Sequence, residues 1–90
     1  MIKVRVPAQL RTLTGGNGEV PMEGSTVGEV LKGLDAAHPG FAERLFDEDG
    51  GLRRFVNVFL DEEDVRFLDG LATPVTAGQT LSIVPAVAGG

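Results

Sequence analysis

Cysteine, tryptophan and tyrosine are absent from this 90-residue chain, and histidine occurs once. Without cysteine, the chain has no disulfides, thiolate metal sites, iron–sulfur clusters or cysteine nucleophiles. A single histidine gives no basis for a Ser–His–Asp set, and His38 stands at a predicted helix end before Pro39, where a cation favours the helix dipole. We therefore assign His38 a structural or solvent-exposed role and look for function elsewhere.

Long apolar runs and excess positive charge are also missing. No apolar run approaches membrane-spanning length, so we expect no membrane span. Residues 1–6 alternate charged and apolar side chains and lack the continuous apolar stretch of a signal peptide. The net charge of −5 disfavours nucleic acid and anionic membranes as partners and suits a partner with a basic docking face. We expect a cytoplasmic protein of one domain that binds neither nucleic acid nor membrane.

Two polar segments resemble ligand loops but lack the necessary residues, and a third segment consists of four acidic residues. Residues 47–50 (DEDG) fail the spacing of a calcium loop, and residues 15–18 (GGNG) lack the lysine and Ser/Thr of a phosphate loop. Residues 61–64 (DEED) are predicted to form a solvated turn, with ion pairing to a basic partner as the alternative. We predict that the chain binds no metal and no cofactor of its own.

In the first half of the chain, the spacing of apolar residues changes from that of strands to that of a helix. Residues 2–6 have a period of two, typical of a half-buried strand, and residues 19–22 predict a returning strand that Pro21 places at an edge. Thr26 with Glu29 forms a capping-box pattern at the start of the main helix. The helix has an apolar face that Ala37 extends, and it stops at residues 38–40 (HPG). That face comprises Val27, Val30, Leu31 and Leu34.

The second half predicts a short helical turn at residues 41–46 and strands at residues 54–60, 65–67 and 80–85. A hairpin, a crossing helix and later strands indicate a mixed sheet with one face covered. The first and last strands are expected to be adjacent and central. This is an α+β arrangement of the β-grasp (ubiquitin-like) class, with a domain at residues 1–85 and a flexible tail at residues 86–90.

The chain ends in Gly89 and Gly90, and a tail without side-chain bulk can enter a narrow slot. We expect the last strand to deliver this tail at the sheet edge, where five residues reach roughly 16 Å. If Leu81 and Ile83 face the core, Val84 faces outward and can contact a partner. One further open question is whether Phe59 and Phe55, which share a face opposite Val56, Val58 and Leu60, are exposed or covered by loops.

Residues 54–57, 63–67, 70–73 and 85–90 together resemble the ubiquitin-like sulfur carriers of the MoaD/ThiS family, and most closely the CysO type. The resemblance covers most of the second half, whereas the first half matches only in layout. Ala86 and Ala88 replace the proline and threonine common in the molybdopterin relatives. That departure favours a role in cysteine synthesis over the molybdopterin role.

The resemblance implies that a ThiF/MoeB-type enzyme uses ATP to adenylate Gly90. A sulfide or persulfide source then displaces AMP and leaves a thiocarboxylate (1-thioglycine). A pyridoxal-phosphate cysteine synthase, or another sulfur-accepting synthase, receives the sulfur, and a zinc peptidase releases cysteine. All cofactors belong to these partners, so the chain is a protein cosubstrate and not an enzyme. The expected partner-binding residues are Gly89, Ala88, Val87, Ala86, Val84 and Phe59.

Several alternatives stay open. The carrier could be the small subunit of molybdopterin synthase or a sulfur donor for a thiosugar or another natural product. A ubiquitin-like modifier shares the adenylation step, although the chain offers only Lys3 and Lys32 for side-chain-linked polymers. A plain interaction module is the third class.

Overall fold

The computed structural model describes residues 1–85. Two α-helices and five strands follow one another in the order β1, β2, α1, α2, β3, β4, β5. Short 3-10 helices cover Ala8–Thr14, Val65–Phe67 and Gly70–Ala72. The strands are β1 (Ile2–Arg5), β2 (Glu19–Met22), β3 (Val56–Leu60), β4 (Glu63–Asp64) and β5 (Thr80–Pro85), and the helices are α1 (Val27–Ala37) and α2 (Phe41–Leu45).

The sheet has the order β2-β1-β5-β3-β4. β1 runs parallel to β5, and the other neighbouring pairs are antiparallel, so the predicted mixed sheet with adjacent first and last strands is confirmed. Pro21 lies on the edge strand β2, as predicted. β5 is the middle strand, held by hydrogen bonds on both sides, so the predicted central position of the last strand is confirmed. The expected exit of the tail at the sheet edge concerns residues 86–90, which lie outside the described residues.

α1 begins where the sequence predicts. The Thr26 hydroxyl accepts a hydrogen bond from the Glu29 backbone N–H at 3.2 Å. The reciprocal bond differs from the simplest capping box, because the Glu29 carboxylate accepts from the backbone N–H of Ser25 at 2.7 Å instead of that of Thr26. α1 ends before His38, and Gly40 adopts φ 114° between the two helices, a conformation that side chains rarely tolerate.

α1 packs its apolar face on the inner face of the sheet to form the core. All four predicted residues of that face are fully buried, and so are the inward residues Val4, Val58 and Leu81 of three strands. Ala37 was expected to extend the face but is exposed. Phe41 and Leu45 of α2, both fully buried, supply the apolar cover at this end of α1 instead.

Two strand predictions in the second half are wrong in their bounds. Arg54 and Phe55 form a turn that the bond from Val56 N–H to the Arg53 carbonyl closes at 3.0 Å, so β3 starts only at Val56. The strand that follows β3 and pairs with it is β4 (Glu63–Asp64), and the expected strand at residues 65–67 is a 3-10 helix. The Asp64 carboxylate caps this helix by accepting from the Arg66 backbone N–H at 2.9 Å.

No helix within residues 1–85 is long and apolar enough to cross a membrane.

Candidate functional site

The candidate site is the end of β5, where the chain enters the tail. Pro85 pairs with Val56 at this end, and Val84 pairs with Asn57. The predicted reactive residue Gly90 and the predicted contacts Gly89, Ala88, Val87 and Ala86 lie outside the described residues. The surface around Pro85 is therefore the part of the site that the structure places.

The outer face of β3 and β5 carries partly exposed apolar residues. Leu81 and Ile83 are buried, and Val84 points outward with 44% of its surface exposed, as the alternation predicts. Phe59 is half-buried on the same outer face, opposite Ser82. The two phenylalanines therefore differ in exposure. Phe59 is partly covered, whereas Phe55 lies in the turn before β3 and is 57% exposed. Apolar surface is thus available beside the tail for a partner to cover.

Arg66 holds the outer face of β3 in place. Its Nη1 donates to the Asn57 Oδ1 at 2.9 Å, and its Nη2 donates to the Arg53 carbonyl at 2.6 Å. Asn57 is the cross-strand neighbour of Val84, so the guanidinium fixes the side chain that adjoins the predicted contact. Sequence reasoning missed Arg66, because its reach to β3 depends on the 3-10 helix that replaces the expected strand.

A shallow groove of about 520 Å³ opens at the tail exit. We call it the exit groove. Its charged side chains are three arginines and Asp47. The lining residues are Arg44, Asp47, Arg53, Arg54, Phe55, Val56 and Pro85. Although the whole chain carries a net charge of −5, the body is basic at this groove. The sequence places Arg53 and Arg54 side by side but gives no sign that they meet Arg44, which lies on α2.

The acidic segment at residues 61–64 lies at the other end of β5. Asp61 adopts φ 57°, and its carboxylate accepts hydrogen bonds from Thr80 N–H at 3.0 Å and from the Gln79 side-chain amide at 3.2 Å. Glu62 and Glu63 are exposed, as expected of a solvated turn. Asp61 therefore ties the β3–β4 turn to the start of β5, a structural role that the sequence did not indicate.

A second, wider groove of about 1120 Å³ borders this acidic end. Phe67, which is 88% exposed, and Leu68 line it together with Arg5, Ser82 and several acidic residues. The sequence expected Phe67 in a strand and gave no sign of its exposure. This groove lies toward the start of β5, away from Pro85.

Residues 1–85 contain no cluster of three or more His, Asp or Glu side chains that could hold a metal ion. Asp47 instead bonds within its own loop, because its Oδ1 accepts from the backbone N–H groups of Asp49 at 2.9 Å and Gly51 at 3.1 Å. The hydrogen bonds of Asp47 thus support a structural role for this carboxylate in its loop.

Comparison with known proteins gives consistent matches. The model of the ThiS family matches residues 4–90. The sulfur carrier protein CysO of Mycobacterium tuberculosis is 46% identical over 91 residues, which cover 99% of this chain and 98% of that protein. A crystal structure of the Amycolatopsis orientalis BexX/CysO complex contains a chain that is 46% identical, with a TM-score of 0.93 and 100% of both chains covered. Small archaeal modifier protein 3 of Haloferax volcanii is 46% identical over 66 residues, covering 73% of this chain and 71% of that protein.

Proposed function

Because this chain belongs to the ThiS family of ubiquitin-like sulfur carriers, which are protein carriers and not enzymes, we propose that it carries sulfur as a thiocarboxylate on Gly90. The observation that carries this proposal is the family match, which extends through Gly90 itself. The β-grasp body supports it, because its middle strand ends at Pro85, five residues before Gly90.

The proposed loading has two steps. A Gly90 carboxylate oxygen attacks the α-phosphorus of ATP in a ThiF/MoeB-type adenylating enzyme, and pyrophosphate leaves. Hydrosulfide then attacks the acyl carbon, the C–O bond to AMP breaks, and the sulfur stays on the glycine as a thiocarboxylate. If a protein persulfide is the donor, a second thiol must cleave the S–S bond to release the same product. Activation is needed because a terminal carboxylate is ionised at neutral pH and repels nucleophiles.

In this account the body docks and the tail reacts. The five residues of the tail reach roughly 16 Å from Pro85 when extended, so a partner that takes Gly90 into its active site must also approach the strand end. Val84 and Phe59 offer apolar contact on the outer face there. Ala86, Val87, Ala88 and Gly89 are small enough to follow Gly90 into a narrow channel.

The acceptor is proposed to be a pyridoxal-phosphate cysteine synthase, with a zinc peptidase releasing cysteine and regenerating Gly90. The whole-length similarity to CysO supports this choice over the molybdopterin synthase role. The BexX/CysO complex pairs a CysO chain with a second protein, which supports a sulfur-accepting partner for this chain. A synthase of a thiosugar or another natural product is the alternative acceptor.

A protein modifier is the second candidate, because the chain is similar to small archaeal modifier protein 3. The two functions share adenylation and differ in the acceptor, which is sulfur in one and a lysine amine in the other. Intact mass spectrometry after incubation with ATP, an adenylating enzyme and sulfide separates them. Replacement of one oxygen by sulfur adds about 16 Da, whereas a modifier forms adducts with other proteins.

Neither product would form if the chain is only an interaction module, so an unchanged mass would contradict both candidates. The acceptor is then found by asking which synthase co-purifies with the thiocarboxylated form. With a cysteine synthase, the thiocarboxylate sulfur attacks the β-carbon of the bound aminoacrylate, and an S-to-N acyl shift leaves cysteine linked to Gly90 as an amide. Detection of this carrier–cysteine adduct by intact mass, and its conversion to the unmodified chain by the zinc peptidase, would support the assignment.

A further inference from the structure

The exit groove combines positive charge with exposed apolar surface at the root of the tail. Arg44, Arg53 and Arg54 line it, and Phe55 and Pro85 provide its apolar part. Both ion pairs found within residues 1–85 join Glu19 to Lys3 or Arg5, so the three groove arginines form none there. Arg53 is oriented by a hydrogen bond from its Nε to the Glu43 carbonyl at 3.0 Å, which leaves its two terminal nitrogens available.

One carboxylate lies among the three arginines of the groove lining. Asp47 is the one acidic residue in the lining, and its Oδ1 already accepts two backbone N–H groups of its own loop. Glu43 contributes its backbone carbonyl to the Arg53 bond. The groove lining therefore carries three positive charges and one negative charge, in a chain whose net charge is −5.

We propose that the exit groove docks an acidic segment of the adenylating enzyme that receives the tail, with carboxylates facing Arg44 and Arg54. This inference rests on the proposed function, because the short tail brings the mouth of any slot that holds Gly90 to within about 16 Å of Pro85. The basic lining of the groove then favours carboxylates at the mouth of that slot. The sequence-based expectation of a basic partner applies to the acidic end of the molecule and not to this end.

Rim charges of this kind act mainly on the rate of association and on its dependence on salt. The readout is therefore the initial rate of thiocarboxylate formation with a recombinant ThiF/MoeB-type adenylating enzyme that loads the wild-type chain, measured at 50 and 500 mM NaCl. Arg54→Glu and Arg44→Glu should each lower kcat/KM about fivefold or more at low salt and less than about twofold at high salt. Arg54→Lys, which keeps the charge, should retain most of the rate.

Lys32→Glu is the matched control, because Lys32 is exposed on α1, outside the groove lining, and the substitution changes the net charge equally. It should stay within about twofold of the wild type at both salt concentrations. Thermal unfolding of each variant checks the fold, and Arg44→Glu substitutes for Arg54→Glu if the latter unfolds.

Equal loss in Lys32→Glu and Arg54→Glu, or wild-type rates in both groove variants, would overturn the inference while leaving sulfur loading intact. Failure of the wild-type chain to gain sulfur with any adenylating enzyme offered would instead contradict the proposed function.

Discussion

The Arg66 guanidinium donates a hydrogen bond of 2.9 Å to the Asn57 side-chain oxygen, beside the exposed Val84 on the next strand. The same guanidinium donates to the Arg53 carbonyl at the edge of the exit groove. One side chain from a 3-10 helix thus orders both surfaces that adjoin the tail. We expect the partner surface to be pre-formed because of this link, which reduces the entropy lost on docking.

Arg66→Ala should weaken this surface more than it weakens the fold. Two hydrogen bonds from a charged donor are lost at an exposed position, so the free energy of unfolding should fall by only about 1 kcal/mol. The rate of sulfur loading should fall about threefold or more, because Asn57 and the Arg53 turn lose their common anchor. Urea unfolding and loading kinetics measure the two effects. A large loss of stability with normal loading of the folded protein would contradict this role.

Val84→Asp should reduce docking without unfolding the protein, because Val84 points away from the core. A carboxylate in an apolar contact should raise KM for the carrier about tenfold. Thr76→Asp is the control, since Thr76 is an exposed β-branched residue before β5 begins, at the strand end remote from the tail. Equal effects from both substitutions would show that added negative charge, and not the Val84 contact, slows loading.

Asp61 tests the link between the β3–β4 turn and the start of β5. Asp61→Asn keeps an acceptor for Thr80 N–H and tolerates φ 57°, so the free energy of unfolding should change little. Asp61→Ala loses the acceptor and strains the backbone, and we expect a loss of about 2 kcal/mol. Chemical denaturation compares the two variants. Equal stability of the alanine and asparagine variants would contradict the structural role of this carboxylate.

Phe41 tests the contribution of α2 to the core. It is fully buried, and Phe41→Ala should lower the free energy of unfolding by about 3–5 kcal/mol. A domain of this size has roughly 5–15 kcal/mol to lose, so the variant should still fold at low temperature. The folded fraction should still load sulfur, because Phe41 is fully buried and does not line the exit groove. Wild-type stability of Phe41→Ala would contradict the packing described here.

The regular elements could be predicted from the sequence because their periods are clear. β1, β5 and α1 follow alternation, helical spacing and a capping pattern, and Val84 faces outward by the same alternation. The 3-10 helix at Val65–Phe67 could not be predicted, because the Asp64 carboxylate that caps it overrides the strand-like composition of VRF. The exit groove could not be predicted from the sequence for a different reason. Its arginines come from α2 and from the turn before β3, and only tertiary packing brings them together.

The central claim is that the terminal glycine carboxyl accepts sulfur while the β-grasp body only presents it. The most direct measurement is the intact mass of the full chain and of a chain lacking Gly89 and Gly90, each incubated with ATP, sulfide and an adenylating enzyme. We predict that the full chain gains about 16 Da and that the shortened chain gains nothing, with unchanged thermal unfolding. Equal sulfur gain by the shortened chain, or no gain by the full chain with any such enzyme, would contradict the account.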